Sequence, residues 1–114
     1  MNWIPLVSIE QLENIKKDSF NSPILIFKHS TRCSISEMSK NRLERSWTEL
    51  LSHYPIFYLD LIQFREVSNQ VSERFQVYHE SPQLLIIHKG ECIYSASHME
   101  IRTNEIEEEI LAIK

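Results

Sequence analysis

The chain has 114 residues, of which 42% are hydrophobic and 25% are charged, values typical of one soluble globular domain spanning residues 1–114. A net charge of −4 provides no general basic surface for phosphates, so we expect no nucleic-acid partner. The longest apolar runs are too short to cross a bilayer, which argues against a membrane partner, and the N-terminus shows no basic leader segment. The two widely separated cysteines make no disulfide framework, which indicates a reducing, cytoplasmic location.

Two helices and two strands are predicted in the first 61 residues. Ser8 and Gln11 form a capping-box pattern that starts a helix reaching about Ser19. The run SPILIFKH is short, apolar and β-rich, and it predicts a buried strand. A long helix follows from Cys33, and YPIFYLDL (54–61) predicts a second buried strand. The apolar stripe of the long helix is Ile35, Met38, Leu43, Trp47, Leu50 and Leu51.

The rest of the chain predicts a helix, a hairpin and a final helix. Apolar residues recur at helical spacing from Phe64 to Phe75. The run SPQLLIIHKGECIYSAS predicts two antiparallel strands that turn at Lys89-Gly90, and Asn104 then caps a last helix. The order αβαβαββα predicts an α/β protein with a four-stranded mixed sheet flanked by helices, which is the thioredoxin-like fold.

Cys33 lies where the first predicted strand passes into a helix. A thiol attacks as its thiolate, and the unpaired amide N–H groups of a helix N-terminus stabilise that negative charge. Lys28, His29 and Arg32 are candidates for added positive charge, although strand alternation means that they cannot all face the sulfur. Glu37 opposes thiolate formation unless it forms a capping pattern with Ser34. The alternative, an inert packing cysteine, fits these hydroxyl and basic neighbours less well.

Pro82 begins the first strand of the predicted hairpin. Because this strand lies antiparallel to the one that ends before Cys33, Pro82 is expected beside the cysteine. The Ser81–Pro82 bond is trans by base rate, since only about 5–6% of X–Pro bonds are cis, and either isomer fits the sequence. The free backbone of Ser81 is a candidate to pair with an extended, disulfide-bearing substrate.

The hairpin separates the second cysteine from the first. With a two-residue turn, Ile87 faces Cys92 and Pro82 faces Ser97. Cys92 then lies about five residues from Pro82, roughly 16 Å along the strand, whereas a disulfide needs Cα atoms within about 7 Å. Cys92 is therefore predicted to pack rather than to resolve the other cysteine, and the same pairing brings His98 to the cysteine end.

Ser36 stands three residues after Cys33, where a dithiol oxidoreductase carries its second cysteine. Serine donates a hydrogen bond to a thiolate but forms no disulfide, so an external thiol has to remove an adduct from Cys33. The sequence has no CxxC or HExxH pattern, and no metal site is expected. The residues alone predict monothiol thiol–disulfide exchange.

The segments HSTRCSIS, HESPQ and SASH together resemble the monothiol bacilliredoxins, thioredoxin-fold redox proteins that use the low-molecular-weight thiol bacillithiol. The resemblance covers essentially the whole chain. It implies that Cys33 is the nucleophile that removes bacillithiol from S-bacillithiolated client proteins, that free bacillithiol is the co-substrate, and that no cofactor is bound permanently. It also implies that Pro82 is a cis-proline beside the nucleophile.

Bacillithiol has a malate group with two carboxylates and an amino sugar. Arg32 or Lys28 is a candidate to hold the carboxylates, and the backbone of Ser81 to hold the cysteinyl part. His98 is a further candidate for substrate binding.

Two alternatives use the same residues differently. A thiol peroxidase would attack peroxide with Cys33 and form a sulfenic acid. A non-catalytic thioredoxin-fold adaptor would bind proteins through the groove at Pro82, with the cysteine incidental. Peroxide consumption without bacillithiol would identify the first, and partner binding that survives Cys33→Ala would identify the second.

Overall fold

The computed structural model describes residues 1–113 and contains one five-stranded sheet with helices on both faces. The strands are β1 (Trp3–Pro5), β2 (Ile24–His29), β3 (Ile56–Asp60), β4 (Gln83–His88) and β5 (Glu91–Ser97). The α-helices are α1 (Ile9–Asp18), α2 (Ser34–Ser46), α3 (Arg65–Phe75) and α4 (Thr103–Leu111), and Leu51–His53 and His98–Glu100 form short 3-10 turns. Within the described residues, no helix has the length and apolarity that crossing a bilayer requires.

The predicted α/β architecture with the thioredoxin-like order of elements is confirmed, but the sheet has five strands rather than four. The strand order is β1-β3-β2-β4-β5. The additional strand, β1, lies parallel to β3 at the edge of the sheet, with Trp3 opposite Ile56. It is three residues long and ends at Pro5, so its sequence carries too little periodicity to predict a strand.

β2 is the central strand, and all six of its residues are buried. It pairs in parallel with β3 and antiparallel with β4. Helices α1 and α3 pack over the face that carries Ile26, and α2 and α4 pack over the face that carries Phe27. Successive side chains at the C-terminal end of β2 therefore point to opposite layers of the molecule.

The first helix begins as the sequence predicts. The Ser8 side chain accepts a hydrogen bond from the Gln11 backbone N–H, and the Gln11 side chain accepts one from the Ser8 backbone N–H at 3.1 Å. This reciprocal pair satisfies two amide groups that a helix start leaves without partners.

The last helix begins differently from the prediction. Asn104 lies inside α4 rather than capping it, because the helix starts at Thr103 with Arg102 as its N-cap and no side-chain cap bond.

The second helix is shorter than predicted. It begins directly after Cys33 but ends at Ser46, and Trp47 leaves the helical conformation with ψ of 134°. The chain then turns into the short 3-10 segment that contains Leu51. The apolar residues beyond Ser46 therefore belong to a turn that packs on the sheet rather than to the helix.

The buried face of α2 also differs from the predicted stripe. Ser36, Ser39 and Leu43 are buried, whereas Ile35 and Met38 have 46% and 55% of their surface exposed. The two serines face the sheet because their hydroxyl groups bond to backbone groups outside the helix. Small polar residues on the buried face give no hydrophobic signal, so the apolar pattern predicts burial correctly for Leu43 but wrongly for Ile35 and Met38.

The β4–β5 hairpin turns at Lys89-Gly90, as predicted, with φ of 54° and 80° at these residues. Ile87 faces Cys92, also as predicted. A β-bulge then shifts the register, so that Ser97 faces Gln83 and the predicted Pro82–Ser97 pairing is wrong by one residue.

The bulge also changes which face of the sheet the side chains of β5 occupy. Cys92 packs with the α1/α3 layer, while Tyr94 and Ala96 pack with the α2/α4 layer. In a regular strand these three residues would share one face, so the extra residue, Ile93, reverses the alternation.

We expect Leu43→Ala to destabilise the protein by about 2–5 kcal/mol, because it removes a buried side chain of α2 and leaves a cavity. Met38→Ala on the exposed face of the same helix is the matched control and should change the free energy of unfolding by less than about 1 kcal/mol. Urea unfolding of both variants measures the difference, and equal losses would contradict the observed orientation of α2.

Candidate active site

Cys33 is half-buried at the junction between β2 and α2, where it is the N-cap of the helix. Its backbone is extended, with φ of −117° and ψ of 121°, and its side chain makes no capping hydrogen bond. Its backbone N–H donates to the Ser30 carbonyl at 3.2 Å, and its carbonyl accepts from the Glu37 N–H at 3.1 Å. The thiol therefore sits at the positive end of a helix, where a thiolate is stabilised.

Ser36 is fully buried beneath the loop that leads to the cysteine. Its hydroxyl oxygen accepts a hydrogen bond from the Ser30 backbone N–H at 3.1 Å. The residue in the position of a second cysteine thus holds the loop before Cys33 in place. A serine at this position offers an oxygen to the backbone and no sulfur to an adduct.

Pro82 lies at the same end of the sheet as the cysteine. The register pairs Lys28 with Gln83, so Pro82 lies beside the C-terminal end of β2. That strand ends at His29, four residues before Cys33. The Ser81–Pro82 bond is cis, and the Pro82 carbonyl accepts a hydrogen bond from the His98 backbone N–H at 3.0 Å. The structure therefore brings the predicted proline, serine and histidine together.

His98 is fixed by its backbone on two sides. Its N–H bonds to the Pro82 loop, and its carbonyl accepts from the Ser39 hydroxyl of α2 at 3.3 Å. Its φ of 56° is in the left-handed region. Non-glycine residues rarely adopt this conformation, and those that do are often found at functional sites. Its Nδ1 lies 3.5 Å from Oε1 of Glu80, and both side chains are about half exposed.

The prediction that Lys28 contacts a substrate is wrong, because its side chain is fully buried on the opposite face of the sheet. Its Nζ lies 2.9 Å from Nδ1 of His79 and 3.2 Å from the Ser72 hydroxyl of α3. Burial lowers the pKa of Lys28 to about 8.

Arg32 is exposed immediately before Cys33. Its backbone N–H donates to the Ser30 hydroxyl at 3.3 Å, and no ion pair to its guanidinium group is found within residues 1–113. Of the two predicted contacts for carboxylates, only Arg32 is accessible on the cysteine side.

His29, the last residue of β2, is one of the predicted candidates for positive charge near the cysteine, but its contact with Glu37 was missed by sequence reasoning. Its ring is buried, stacks on Phe27 with centroids 5.9 Å apart, and places Nε2 3.5 Å from Oε1 of Glu37. Burial lowers the pKa of His29, and the Glu37 carboxylate opposes this shift. Glu37 therefore turns toward His29 instead of forming the predicted capping pattern with Ser34.

Cys92 lies at the other end of the hairpin, opposite Ile87. Its Sγ donates a hydrogen bond to the Tyr94 carbonyl at 3.3 Å, and it packs against the apolar cluster of α1 and α3. Burial raises the pKa of the Cys92 thiol, which keeps it protonated and unreactive. Within residues 1–113, no three His, Cys, Asp or Glu side chains converge as metal ligands.

Comparison with known proteins places this site in a family. The family model described as monothiol bacilliredoxin matches residues 4–106. A solved structure assigned as an oxidoreductase with a thioredoxin fold is 27% identical, with 93% of this chain and 91% of that chain covered and a TM-score of 0.79.

Thioredoxins share the fold at lower sequence identity. The thioredoxin of Fasciola hepatica is 15% identical with a TM-score of 0.74, and the coverage is 97% of this chain and 99% of that chain. The thioredoxin of Trypanosoma brucei brucei is 12% identical with a TM-score of 0.76, and the coverage is 98% and 90%. These two similarities confirm the fold alone.

The burial of Lys28 predicts a pH-dependent stability. Its folded-state pKa of about 8 lies below the ordinary value of 10.5, so between these values the unfolded chain holds a proton that the folded protein has lost. The free energy of unfolding contributed by this residue therefore rises as the pH increases from 8 toward 10.

We expect Lys28→Met to be more stabilising at pH 7 than at pH 10, by roughly 2 kcal/mol. Urea unfolding of wild type and variant at both pH values, under reducing conditions, measures this difference. Lys17→Met, on the exposed surface of α1, makes the same chemical change outside the core and serves as the control. A Lys28→Met effect of equal size at both pH values would show that burial does not lower the pKa of Lys28 in the folded protein.

Proposed function

This chain belongs to the monothiol bacilliredoxin family of thiol oxidoreductases, and we propose that Cys33 removes bacillithiol from S-bacillithiolated proteins by thiol–disulfide exchange. The observation that carries the proposal is the pairing of a lone cysteine at a helix N-terminus with a buried serine three residues later. Because Ser36 cannot form a disulfide, each adduct on Cys33 has to leave by attack of a second, external thiol.

The proposed reaction has two balanced exchange steps. In the first, the Cys33 thiolate attacks the bacillithiol sulfur of the client disulfide, a new S–S bond forms to Cys33, and the client leaves as a thiolate that takes a proton from water. In the second, the thiolate of free bacillithiol attacks the bacillithiol sulfur held on Cys33. Bacillithiol disulfide is released and the Cys33 thiolate is restored.

The residues around Cys33 support specific roles in this reaction. Pro82 and Ser81 lead into β4 at the end of the sheet where β2 leads to Cys33, and we assign them to an extended cysteinyl segment of the substrate. We assign Arg32, the accessible cation, to the carboxylates of the malate group, and His98, whose backbone N–H bonds to the Pro82 carbonyl, to substrate binding. The reaction consumes a reduced small thiol, so we place it in the cytoplasm, where thiols are kept reduced.

We expect intact-mass measurements to show transfer of one bacillithiol from a bacillithiolated client to the reduced protein. Wild type and Cys92→Ala should both gain the adduct, because Cys92 is half-buried and remote from Cys33. Cys33→Ala should gain nothing, and free bacillithiol should then remove the adduct from the two active proteins.

Each of the other results has a definite meaning. An internal disulfide in the oxidised wild type would show that Cys92 resolves Cys33, against the observed strand pairing. No transfer to any protein, with client binding retained in Cys33→Ala, would instead favour an adaptor that binds through the Pro82 groove.

Reversal of charge at Arg32 tests the proposed malate contact. We expect Arg32→Glu to slow the first exchange step by about fivefold, because it replaces an attraction with a repulsion in an exposed ion pair. Arg45→Glu, exposed at the far end of α2, is the matched control for the change in net charge. Equal second-order rate constants for Arg32→Glu and wild type would exclude the contact.

A further inference from the structure

We propose that Glu80 gives the site a preference for small thiols whose cysteinyl amino group is free, by binding the resulting ammonium group. This inference rests on the proposed exchange at Cys33 and adds the chemical class of small thiol that the site prefers. Glu80 lies in the HESPQ segment but takes no part in the two exchange steps, so a role in choosing the small thiol goes beyond them.

The position of Glu80 is the first argument. It directly precedes Ser81 and lies two residues before Pro82, on the segment that enters β4 at the end of the sheet where β2 leads to Cys33. Its Oε1 lies 3.5 Å from Nδ1 of His98. Because the His98 backbone N–H bonds to the Pro82 carbonyl, the carboxylate and the imidazole stand together at the rim of the site.

The anchoring of this pair is the second argument. The Ser39 hydroxyl donates to the His98 carbonyl at 3.3 Å and so ties the imidazole-bearing residue to α2, the helix that Cys33 caps. The histidine is therefore fixed to both walls of the site, the Pro82 loop and α2. With 43% of its side chain exposed, Glu80 remains accessible to a substrate.

The charges at this end of the sheet are the third argument. Glu37 is directed to His29, and the Asp60 carboxylate accepts hydrogen bonds from the backbone N–H groups of Ile62 and Gln63. Within the described chain, the ion-pair partner of Glu80 is an imidazole, which is charged only when it is protonated. Among the described residues, Glu80 therefore has no lysine or arginine as an ion-pair partner that would compete with a ligand cation.

The chemistry of a cysteinyl thiol completes the argument. We place the α-nitrogen of a cysteinyl unit that pairs with the Ser81 backbone within reach of the long, exposed side chain of the neighbouring residue, Glu80. A free amine there is an ammonium group and forms a charge-assisted hydrogen bond with a carboxylate. An acylated amine is a neutral amide and offers only a weaker hydrogen bond. The carboxylate therefore favours the first kind of thiol over the second.

A matched pair of substrates tests the preference directly. One peptide with a single cysteine is prepared as its mixed disulfide with L-cysteine and, separately, with N-acetyl-L-cysteine. Rate constants for adduct transfer to Cys33 are measured by intact mass for wild type, Glu80→Gln and Glu80→Lys. The ratio of the two rate constants is compared between proteins, so that the intrinsic difference between the two thiols cancels.

We expect the wild-type ratio to exceed that of Glu80→Gln by about two- to fivefold, the size of an exposed ion pair. Glu80→Lys should lower the ratio further. Glu91→Gln, exposed at the opposite end of β5, makes the same charge change and should keep the wild-type ratio.

Two results would overturn the inference, and they are distinguishable. Equal ratios in wild type, Glu80→Gln and Glu80→Lys would remove the role of Glu80 while leaving exchange at Cys33 intact. No transfer from either peptide to any of the proteins would reject the exchange reaction itself, and the preference with it.

Discussion

The constraint on which the site depends is the complete burial of β2 between two strands and two helical layers. A strand held in this way cannot shift or rotate, so the point where it ends is fixed relative to β4 and to α2. Only Ser30, Thr31 and Arg32 separate the end of β2 from Cys33, and the bond from Ser30 to Ser36 closes this short loop. The position of the thiol at this end of the sheet is therefore a consequence of core packing rather than of contacts made by the sulfur.

Burial of β2 also forces polar groups into the core at the end nearest the cysteine. Lys28 and His29 are adjacent in sequence, but strand alternation sends the first toward α3 and the second toward α2. Each is buried and has polar neighbours, and in each case burial disfavours the charged form. The two side chains thus lie in opposite helical layers of the molecule. Only His29 lies in the layer of α2, the helix that Cys33 caps.

The sequence predicts those features that short segments determine. The start of α2 at Cys33 and the turn at Lys89-Gly90 follow from local patterns, and both are confirmed. The missed features depend on partners far away in the chain, such as the hydrogen bond from Ser39 to His98. The direction of Lys28 was not predictable because both faces of β2 are covered, so its apolar run gives no sign of which side each residue takes. A bulge of one residue likewise has no sequence signal.

That bulge has a consequence for how the protein behaves among other copies of itself. β5 is an edge strand of seven residues, and a regular edge of this length presents evenly spaced N–H and C=O groups on which a strand of a neighbouring chain can assemble. The register shift after Ile87 interrupts this spacing and increases the local twist. The irregularity that moves Ser97 by one position therefore also makes this edge of the sheet a poor template for aggregation.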